Sequence, residues 1–334
     1  MGKIGFMKKT LQQNFPLPPF YQTLSRAYPT LFEGCQSLIS VLASFDDSTH
    51  QLWLCQFPSE KRFLKLCLSG EQSAFWQAVQ HLFGFELASN LKHYDQVYQS
   101  MTAWSPLVVP KLRHSASYSC TEKEGTLFSA PLRGRKFSGF LLTEFLVGRV
   151  LTPEQLTLKH VSQISEHIAL LHQHSSNRFG ALFDPHKISS SINQDRFAWK
   201  SRLKQTLLAL KKHQSIPMDV FEKTIGLVDA LQINHFQPIM LDMRWDQFLQ
   251  LEGGENLALL DLDAMVWAPR ELELVMLEYL LTPAQAEVFT TVYTQYHELP
   301  DLKSARSVYR VLLFQMNVLG ESSFNRWMAH PVCF

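Results

Sequence analysis

Two aspartates, each at the end of a short apolar run, are the residues of this chain best suited to chemistry. Asp242 follows the run at 237–241, and Asp261 follows the run at 256–260. An amide side chain, Gln247, stands five positions after the first aspartate. Transfer of a phosphoryl group needs one carboxylate to accept a hydroxyl proton, a second to hold magnesium, and an amide to complete the metal site. The spacing therefore predicts a phosphoryl-transfer centre.

Hydrophobic periodicity divides the chain into a strand-rich part and a helix-rich part. Short or alternating apolar runs, separated by polar turns, predict strands up to residue 146. Helical spacing dominates after Gly148, where Thr152 and Pro153 predict the start of a long helix. The predicted strands are 36–45, 51–57, 62–68, 108–118, 125–130 and 137–146. The predicted helices are 71–83, 86–101, 152–173, 196–212, 218–231, 271–281, 283–296 and 302–319.

The two aspartate-bearing runs form the one β element predicted in the helix-rich part. The pair Gly253-Gly254 lies between the runs 237–241 and 256–260. Two adjacent glycines favour a tight turn, because glycine adopts positive φ without steric cost. The sequence therefore predicts a hairpin in which these two strands pair with each other.

Composition argues against several other classes of protein. The 334 residues carry a net charge of +1, so no overall field favours nucleic acid. No run of about 18 uncharged apolar residues occurs, so no membrane span is predicted. The five cysteines are odd in number and form no CxxC pair, which indicates neither a zinc site nor a disulfide framework. A reducing compartment, the cytoplasm, is therefore expected, and the oligomeric state stays open.

Five segments in a consistent order resemble the aminoglycoside phosphotransferase and choline kinase family of small-molecule kinases. The segment 140–148, FLLTEFLVG, resembles the linker of that family, and 165–175, SEHIALLHQHS, resembles its helix ending in Leu-His. The tripeptide MLD at 240–242 stands where the family has His-Gly-Asp. The tripeptide DLD at 261–263 stands at its metal-binding aspartate, and PRELE at 269–273 resembles its following Pro and acidic position.

The resemblance covers roughly residues 30–320 and implies an α+β, bilobal protein-kinase-like fold. We expect an N-terminal extension at 1–30 and a β-rich, nucleotide-binding N-lobe at 31–146. A mostly helical C-lobe at 147–334 would hold the catalytic β-hairpin. The resemblance also implies ATP or GTP as donor, Mg²⁺ as cofactor, and a small-molecule hydroxyl as acceptor. An amino alcohol, a sugar or an aminoglycoside-like molecule is expected near Trp245, Trp267, Glu271 and Glu273.

The resemblance implies a role for each polar residue of the centre. Asp242 is expected to be the catalytic base or to orient the acceptor. Asp261 is expected to bind magnesium, with Gln247 as a second ligand in place of the family's asparagine. Asp263 is either a further metal contact or a solvated turn residue, and both alternatives are open.

Lys65 is the residue predicted to pair with the nucleotide phosphates. It lies in the apolar run 62–68, where an ammonium group is costly to bury unless it is paired. A helix glutamate is the expected partner, with Glu86 as the first choice and Glu71 and Asp95 as rivals. An edge lysine with its ammonium group in solvent is the alternative.

Two further segments are predicted to contact the nucleotide. Backbone N–H groups from Gly34 to Ser37, within the segment 32–37, would cradle a phosphate, and a plain hairpin turn is the alternative. Backbone groups of Glu144 and Leu146 would hydrogen-bond to the base.

Two departures from the family pattern favour a second function. Met240 can only pack, whereas the histidine it replaces hydrogen-bonds, and Gln247 is one methylene longer than asparagine. They favour a pseudokinase or nucleotide-binding scaffold that acts through protein partners. The retention of Asp242, Asp261 and Lys65 favours an active enzyme, and this is the prediction.

Overall fold

The computed structural model describes residues 17–41, 50–68, 73–117, 137–183, 196–213 and 215–334. A five-stranded antiparallel sheet in the order β1-β2-β3-β5-β4 forms the first region, together with five helices. We call this the sheet region. The remainder, the helical region, contains seven α-helices among its described residues and two three-stranded sheets, in the orders β10-β9-β6 and β7-β11-β8. Among the described residues the composition is thus α+β, as the sequence predicts.

The strands are short, and the longest helices lie in the helical region. The strands are β1 (Ser37–Val41), β2 (His50–Gln56), β3 (Lys61–Leu68), β4 (Leu112–Ser117), β5 (Phe137–Glu144), β6 (Gly148–Val150), β7 (Gly180–Ala181), β8 (Gln237–Met240), β9 (Phe248–Leu251), β10 (Leu257–Leu259) and β11 (Met265–Ala268). The helices are α1 (Pro19–Ala27), α2 (Pro29–Phe32), α3 (Ala74–Phe83), α4 (Leu87–Asn90), α5 (Tyr94–Trp104), α6 (Leu158–His172), α7 (Arg196–Leu210), α8 (Met218–Leu227), α9 (Arg270–Leu277), α10 (Pro283–Tyr293), α11 (Lys303–Met316) and α12 (Phe324–Met328).

Strand β3 shows how alternation along a strand builds the sheet region. Leu64 and Leu66 are buried in a cluster with Phe20 and Leu24 of α1, so one face of the sheet is covered by the first helix. Lys65 lies between them in the strand and therefore points to the opposite face. That face meets helices α3 to α5 and the helical region. Helix α1 thus packs on the sheet, although it falls within the stretch expected to be an N-terminal extension.

One hydrophobic cluster runs from the sheet region into the helical region. Helices α3 and α7 pack against each other, with the Phe83 and Trp199 rings 5.9 Å apart. Arg202 Nη1 of α7 donates to the His81 carbonyl oxygen of α3, over 2.9 Å. The two regions therefore share a core rather than meeting only at the linker.

The predicted hairpin between 237–241 and 256–260 is wrong. Strand β8 pairs antiparallel with β11, whereas β10 pairs antiparallel with β9. Gly253, with φ of +84°, does form a turn, but the turn joins β9 to β10. A tight turn can join only the strands that flank it directly. The four-residue strand at 248–251 and the strand at 265–268 were not predicted.

Other predicted elements differ mainly at their ends. The long helix begins at Leu158, not near Thr152, because Thr157 accepts a hydrogen bond from the His160 N–H and caps it. The predicted helix at 86–101 is divided into α4 and α5, with a short 3₁₀ turn between them. The predicted strand at 125–130 lies outside the described residues. No helix among the described residues is both long and apolar enough to span a membrane.

Glu278 is a fully buried carboxylate held by two arginines. Its oxygens accept from Arg306 Nε over 3.0 Å and from Arg310 Nη2 over 2.7 Å. Replacing Glu278 by Gln leaves two guanidinium groups without a counter-charge, and we expect a loss of about 3–5 kcal/mol in the free energy of unfolding. Urea denaturation measures it. The control is Glu255→Gln, which removes the exposed Lys159–Glu255 pair and should leave stability unchanged. Equal losses of stability in the Glu278 and Glu255 variants would refute the role of the buried carboxylate.

His167 on α6 predicts a pH dependence of stability. It is fully buried, with Nδ1 2.8 Å from Ser105 Oγ, and burial lowers the pKa of its imidazole to about 3. The native histidine stays neutral while the unfolded one binds a proton near pH 6.5, so its stabilising effect is lost as pH falls from 6.5 towards 3.

Replacing His167 by Gln should therefore flatten the pH dependence of unfolding. Between about pH 4 and 6, the slope of the free energy of unfolding against pH should be smaller in the variant than in the parent protein. The difference between the two slopes should be about 1.4 kcal/mol per pH unit. Urea denaturation at several pH values measures the slope. Replacing the exposed His235 by Gln is the control and should leave the slope unaltered. An unchanged slope in the His167 variant would contradict the neutral assignment.

Candidate active site

Asp242 and Asp261 lie on neighbouring loops that backbone hydrogen bonds hold together. Asp242 follows β8, and Asp261 follows β10. The Leu260 N–H donates to the Gln247 carbonyl oxygen over 2.8 Å, and the Leu241 N–H donates to the Ala264 carbonyl oxygen over 3.2 Å. Two loops that share these bonds present their side chains to one site, although the strands before them are not paired.

The side chain of Asp242 is held by two neighbours on its own loop. Gln247 Nε2 donates to Asp242 Oδ2 over 3.2 Å, and Arg244 Nη2 lies 3.3 Å from the same oxygen. Arg244 Nε also donates to Asp246 Oδ1 over 3.1 Å. The Gln247 side chain, although it is one methylene longer than the family's asparagine, is thus placed to bond to Asp242. Arg244 was missed from the sequence, although a cation two positions after Asp242 is a visible signal.

Lys65 of β3 meets the second loop. Its ammonium group lies 3.1 Å from Asp261 Oδ1 and 3.7 Å from Asp263 Oδ2. The Lys65 side chain is 8% exposed, that of Asp261 27% and that of Asp263 7%. The structure therefore brings together three predicted residues, and Asp263 is a buried member of the site rather than a solvated one.

Burial and charge act in opposite directions on these three groups. Burial would raise the pKa of the Asp261 carboxyl, but the Lys65 ammonium group outweighs it, and that pKa lies below its usual range. Burial and the adjacent Asp261 charge raise the pKa of Asp263 well above its usual range. Burial would lower the pKa of Lys65, but the two aspartates outweigh burial and raise it. The lysine is thus charged, and Asp261 is its ionised partner.

Two side chains of the sheet region hold Asp263 in place. Tyr94 Oη donates to the Asp263 carbonyl oxygen over 2.8 Å, and His50 Nδ1 lies 3.5 Å from Asp263 Oδ2. Burial, and then the Lys65 charge, lower the pKa of His50 to about 3, so this histidine is neutral. Neither residue was predicted from the sequence.

Glu86 does not pair with Lys65. It is exposed before α4, and its carboxylate accepts a hydrogen bond from Ser89 Oγ over 2.7 Å. Asp95 is also exposed, and Glu71 lies outside the described residues. Helix α5 contributes buried tyrosines to this side of the site rather than a carboxylate, and Tyr94 among them bonds to the Asp263 carbonyl oxygen. The predicted Lys65–Glu86 pair is therefore replaced by pairs with Asp261 and Asp263.

Gly34 and Ser37 lie at the wrong end of β1 to cover a phosphate beside Lys65. The strand register aligns Val41 with Leu52 and Leu52 with Lys65, whereas Ser37 is four residues away along the strand. At about 3.3 Å per residue this is roughly 13 Å. Ser37 Oγ is also engaged, 2.6 Å from Gln56 Oε1. The connection at 42–49, at the Lys65 end, lies outside the described residues.

The linker after β5 is held by backbone hydrogen bonds at the Lys61 end of the sheet. The Glu144 N–H donates to the Lys111 carbonyl oxygen, and the Phe145 N–H donates to the Lys61 carbonyl oxygen. The Glu144 carboxylate accepts from the Lys111 N–H over 2.9 Å. The predicted contact of Glu144 and Leu146 with a base stays a prediction.

A buried network supports the strand that leads to Asp242. Glu273 of α9 is fully buried, and its Oε1 accepts from the Met240 N–H over 2.7 Å. Its Oε2 lies 2.9 Å from His172 Nε2, and His172 Nδ1 lies 2.8 Å from Tyr293 Oη. Glu273 therefore positions strand β8 and, being fully buried, does not face an acceptor, so its predicted acceptor contact is wrong.

The donor set of the site suits a hard divalent cation. Mg²⁺ prefers carboxylate oxygens and usually takes the rest of its ligands from water and phosphate. Asp261 is partly exposed and offers such oxygens, and Gln247 donates its N–H to Asp242, which leaves its carbonyl oxygen as the donor. Among the described residues, no three His, Cys, Asp or Glu side chains form a complete metal cage. The residues present thus fit a cation that arrives with phosphate.

Solved structures of small-molecule kinases superpose on this chain over most of its length. The macrolide 2′-phosphotransferase of Brachybacterium faecium has a TM-score of 0.57 and 12% identity, covering 94% of this chain and 98% of its own. The GDP complex of aminoglycoside 2′-phosphotransferase-IIIa has a TM-score of 0.56 and 13% identity, covering 92% and 90%. The Plasmodium vivax ethanolamine kinase has a TM-score of 0.56 and 14% identity, covering 92% and 85%.

The chain has the fold of the small-molecule kinases. No protein-family model matches the sequence, and no curated protein sequence matches it either. The predicted resemblance to the aminoglycoside phosphotransferase and choline kinase family is confirmed at the level of the fold. Within this fold Lys65 lies beside Asp261, and Asp242 lies on the neighbouring loop; the roles of these residues stay predictions.

Glu273 should control the local stability of strand β8, which leads to Asp242. Glu273→Ala leaves the Met240 N–H and His172 without their acceptor in a buried position. Losing one hydrogen bond to a charged group should accelerate amide exchange at Met240 by roughly ten- to hundredfold. Hydrogen exchange monitored by NMR measures it, with β2 amides as internal reference. Replacing the exposed Glu287 by Ala is the control; unchanged exchange at Met240 would contradict the positioning role.

Proposed function

We propose that the protein is a nucleotide- and Mg²⁺-dependent phosphotransferase that acts on the hydroxyl group of a small molecule. The convergence of Lys65, Asp261 and Asp242 from three separate segments carries the proposal. A strand lysine, a partly exposed carboxylate and a second carboxylate on a neighbouring loop supply the charges that phosphoryl transfer uses. The fold shared with small-molecule kinases supports the same reaction class.

Each side chain has a distinct task in this reaction. Lys65 binds phosphate oxygens of ATP or GTP, and Asp261, with Gln247, holds the cation. When bound, Mg²⁺ supplies positive charge that neutralises phosphate oxygens. Asp242 orients the acceptor hydroxyl and accepts its proton. Because the transition state is loose, this positioning matters more than the basicity of Asp242.

Arg244 adds a cation beside the Asp242 carboxylate. Its guanidinium group is held between Asp242 and Asp246 and is partly exposed. A guanidinium group placed there can hydrogen-bond to oxygens of the phosphoryl group in transit. With Lys65 on the donor side, the site then carries a cation on each side of the transferred group.

The departure at Met240 is compatible with activity. The Met240 side chain is buried, and its N–H is held by Glu273, which His172 also contacts. Orientation of the catalytic strand therefore comes from the buried carboxylate and not from the residue two positions before Asp242. This observation favours an enzyme over the alternative of a pseudokinase scaffold.

Thermal unfolding with nucleotide tests the proposal. ATP or GTP with Mg²⁺ should raise the unfolding temperature, because a ligand at 100 times its Kd stabilises the native state by about 2.7 kcal/mol. The Mg²⁺-dependent part of the rise should vanish in Asp261→Asn. Asp242→Asn should keep it, since Asp242 faces the acceptor. No shift with either nucleotide would refute the phosphotransferase and favour a scaffold that acts through protein partners without binding a nucleotide.

A further inference from the structure

Lys65 needs a partner that stays in place when the site is loaded. Asp261 is its nearer partner, at 3.1 Å, and this inference rests on the proposed function, in which Asp261 turns to a cation. A lysine that loses its counter-charge at that moment would be free to change rotamer, since its side chain has four rotatable bonds. A second carboxylate is therefore required beside it.

The helix that faces Lys65 does not provide this carboxylate. Tyr94 and Tyr98 of α5 stand one helical turn apart and are both buried. The single acidic residue of α5, Asp95, is exposed. Glu86, before α4, bonds to Ser89 instead. The face that could position the lysine from the helix side carries phenol rings.

We propose that Asp263 is the residue that positions Lys65 for nucleotide binding, in the place of a helix glutamate, and that Asp261 alone of the two aspartates serves the cation. Asp263 Oδ2 lies 3.7 Å from the Lys65 ammonium group. In the described part of the chain, neither Asp263 carboxylate oxygen has a hydrogen-bond partner. The position of this carboxyl group beside Lys65 is therefore held by the packing of the groups around it.

The surroundings of the two aspartates differ in the way these roles require. The Asp263 side chain is 7% exposed, with His50 on one side, and its backbone carbonyl is fixed by Tyr94. Its N–H donates to Asp261 Oδ1 over 3.0 Å. Asp261 is 27% exposed and reaches the solvent side of the site. The buried aspartate cannot turn outward, whereas the partly exposed one can.

The Asp263→Asn variant separates a positioning role from a metal-binding role. We measure the Kd for ATP in EDTA and in Mg²⁺ by calorimetry. Asp263→Asn should weaken metal-free binding about tenfold, the loss expected for one interaction with a charged group. The ratio between the two Kd values should be retained. In Asp261→Asn, Mg²⁺ should no longer change the affinity, so the Kd for ATP should be the same in EDTA and in Mg²⁺.

A double-mutant cycle shows whether Asp263 acts through the lysine. In a Lys65→Met background, Asp263→Asn should have no further effect on metal-free binding. Glu86→Gln is the matched carboxylate control and should bind as the parent does. If Asp263→Asn fails to fold, Tyr94→Phe takes its place, because it removes the hydrogen bond to the Asp263 carbonyl oxygen. Tyr94→Phe should weaken metal-free ATP binding about threefold, and it should have no further effect in the Lys65→Met background.

Three outcomes would overturn the inference and are distinguishable from failure of the proposed function. If Asp263→Asn loses the magnesium effect, Asp263 is a metal ligand. If its effect persists without Lys65, it does not act through the lysine. Unchanged metal-free binding in Asp263→Asn removes the role altogether. If the parent protein binds no nucleotide under either condition, the phosphotransferase itself is refuted.

Discussion

The buried contact of Lys65 with two aspartates is the interaction on which the site depends. It joins strand β3 of the sheet region to the loop after β10 of the helical region. An ammonium group at 8% exposure is stable only if a carboxylate accompanies it, because isolated buried charge is strongly unfavourable. The two regions must therefore dock in one register, and that register also sets where Asp261 stands relative to Asp242.

Local patterns explain how much of this could be predicted from the sequence. The short apolar run at 62–68 identified the strand, and the lysine within that run was recognised as a charge that needs a partner. The strand-terminal positions of Asp242 and Asp261 identified them as chemistry-bearing residues. These signals come from residues within a few positions of each other, so they do not require knowledge of the fold. The order of the motifs then indicated the fold class.

The partners of these residues could not be predicted, because they are chosen by tertiary packing. Lys65 contacts Asp263, nearly 200 positions away in the sequence, and does not contact Glu86, which is closer in the sequence. No local sequence pattern indicates this pairing. The pairing of β8 with β11 has the same origin. Glu273 looked like an acceptor contact because its burial beneath β8 is visible only after α9 packs there. Long-range contacts thus decided most of the incorrect predictions.

The docking of α7 on α3 has a consequence for the kinetics of ligand exchange. Trp199 and Phe83 are fully buried where these helices meet, so a rigid rotation of the sheet region would expose apolar surface to water. Enzymes with freely hinged halves release products by such rotations. Here that route is opposed by the shared core. In the proposed reaction, a bound nucleotide would therefore have a long residence time, and its departure would limit turnover.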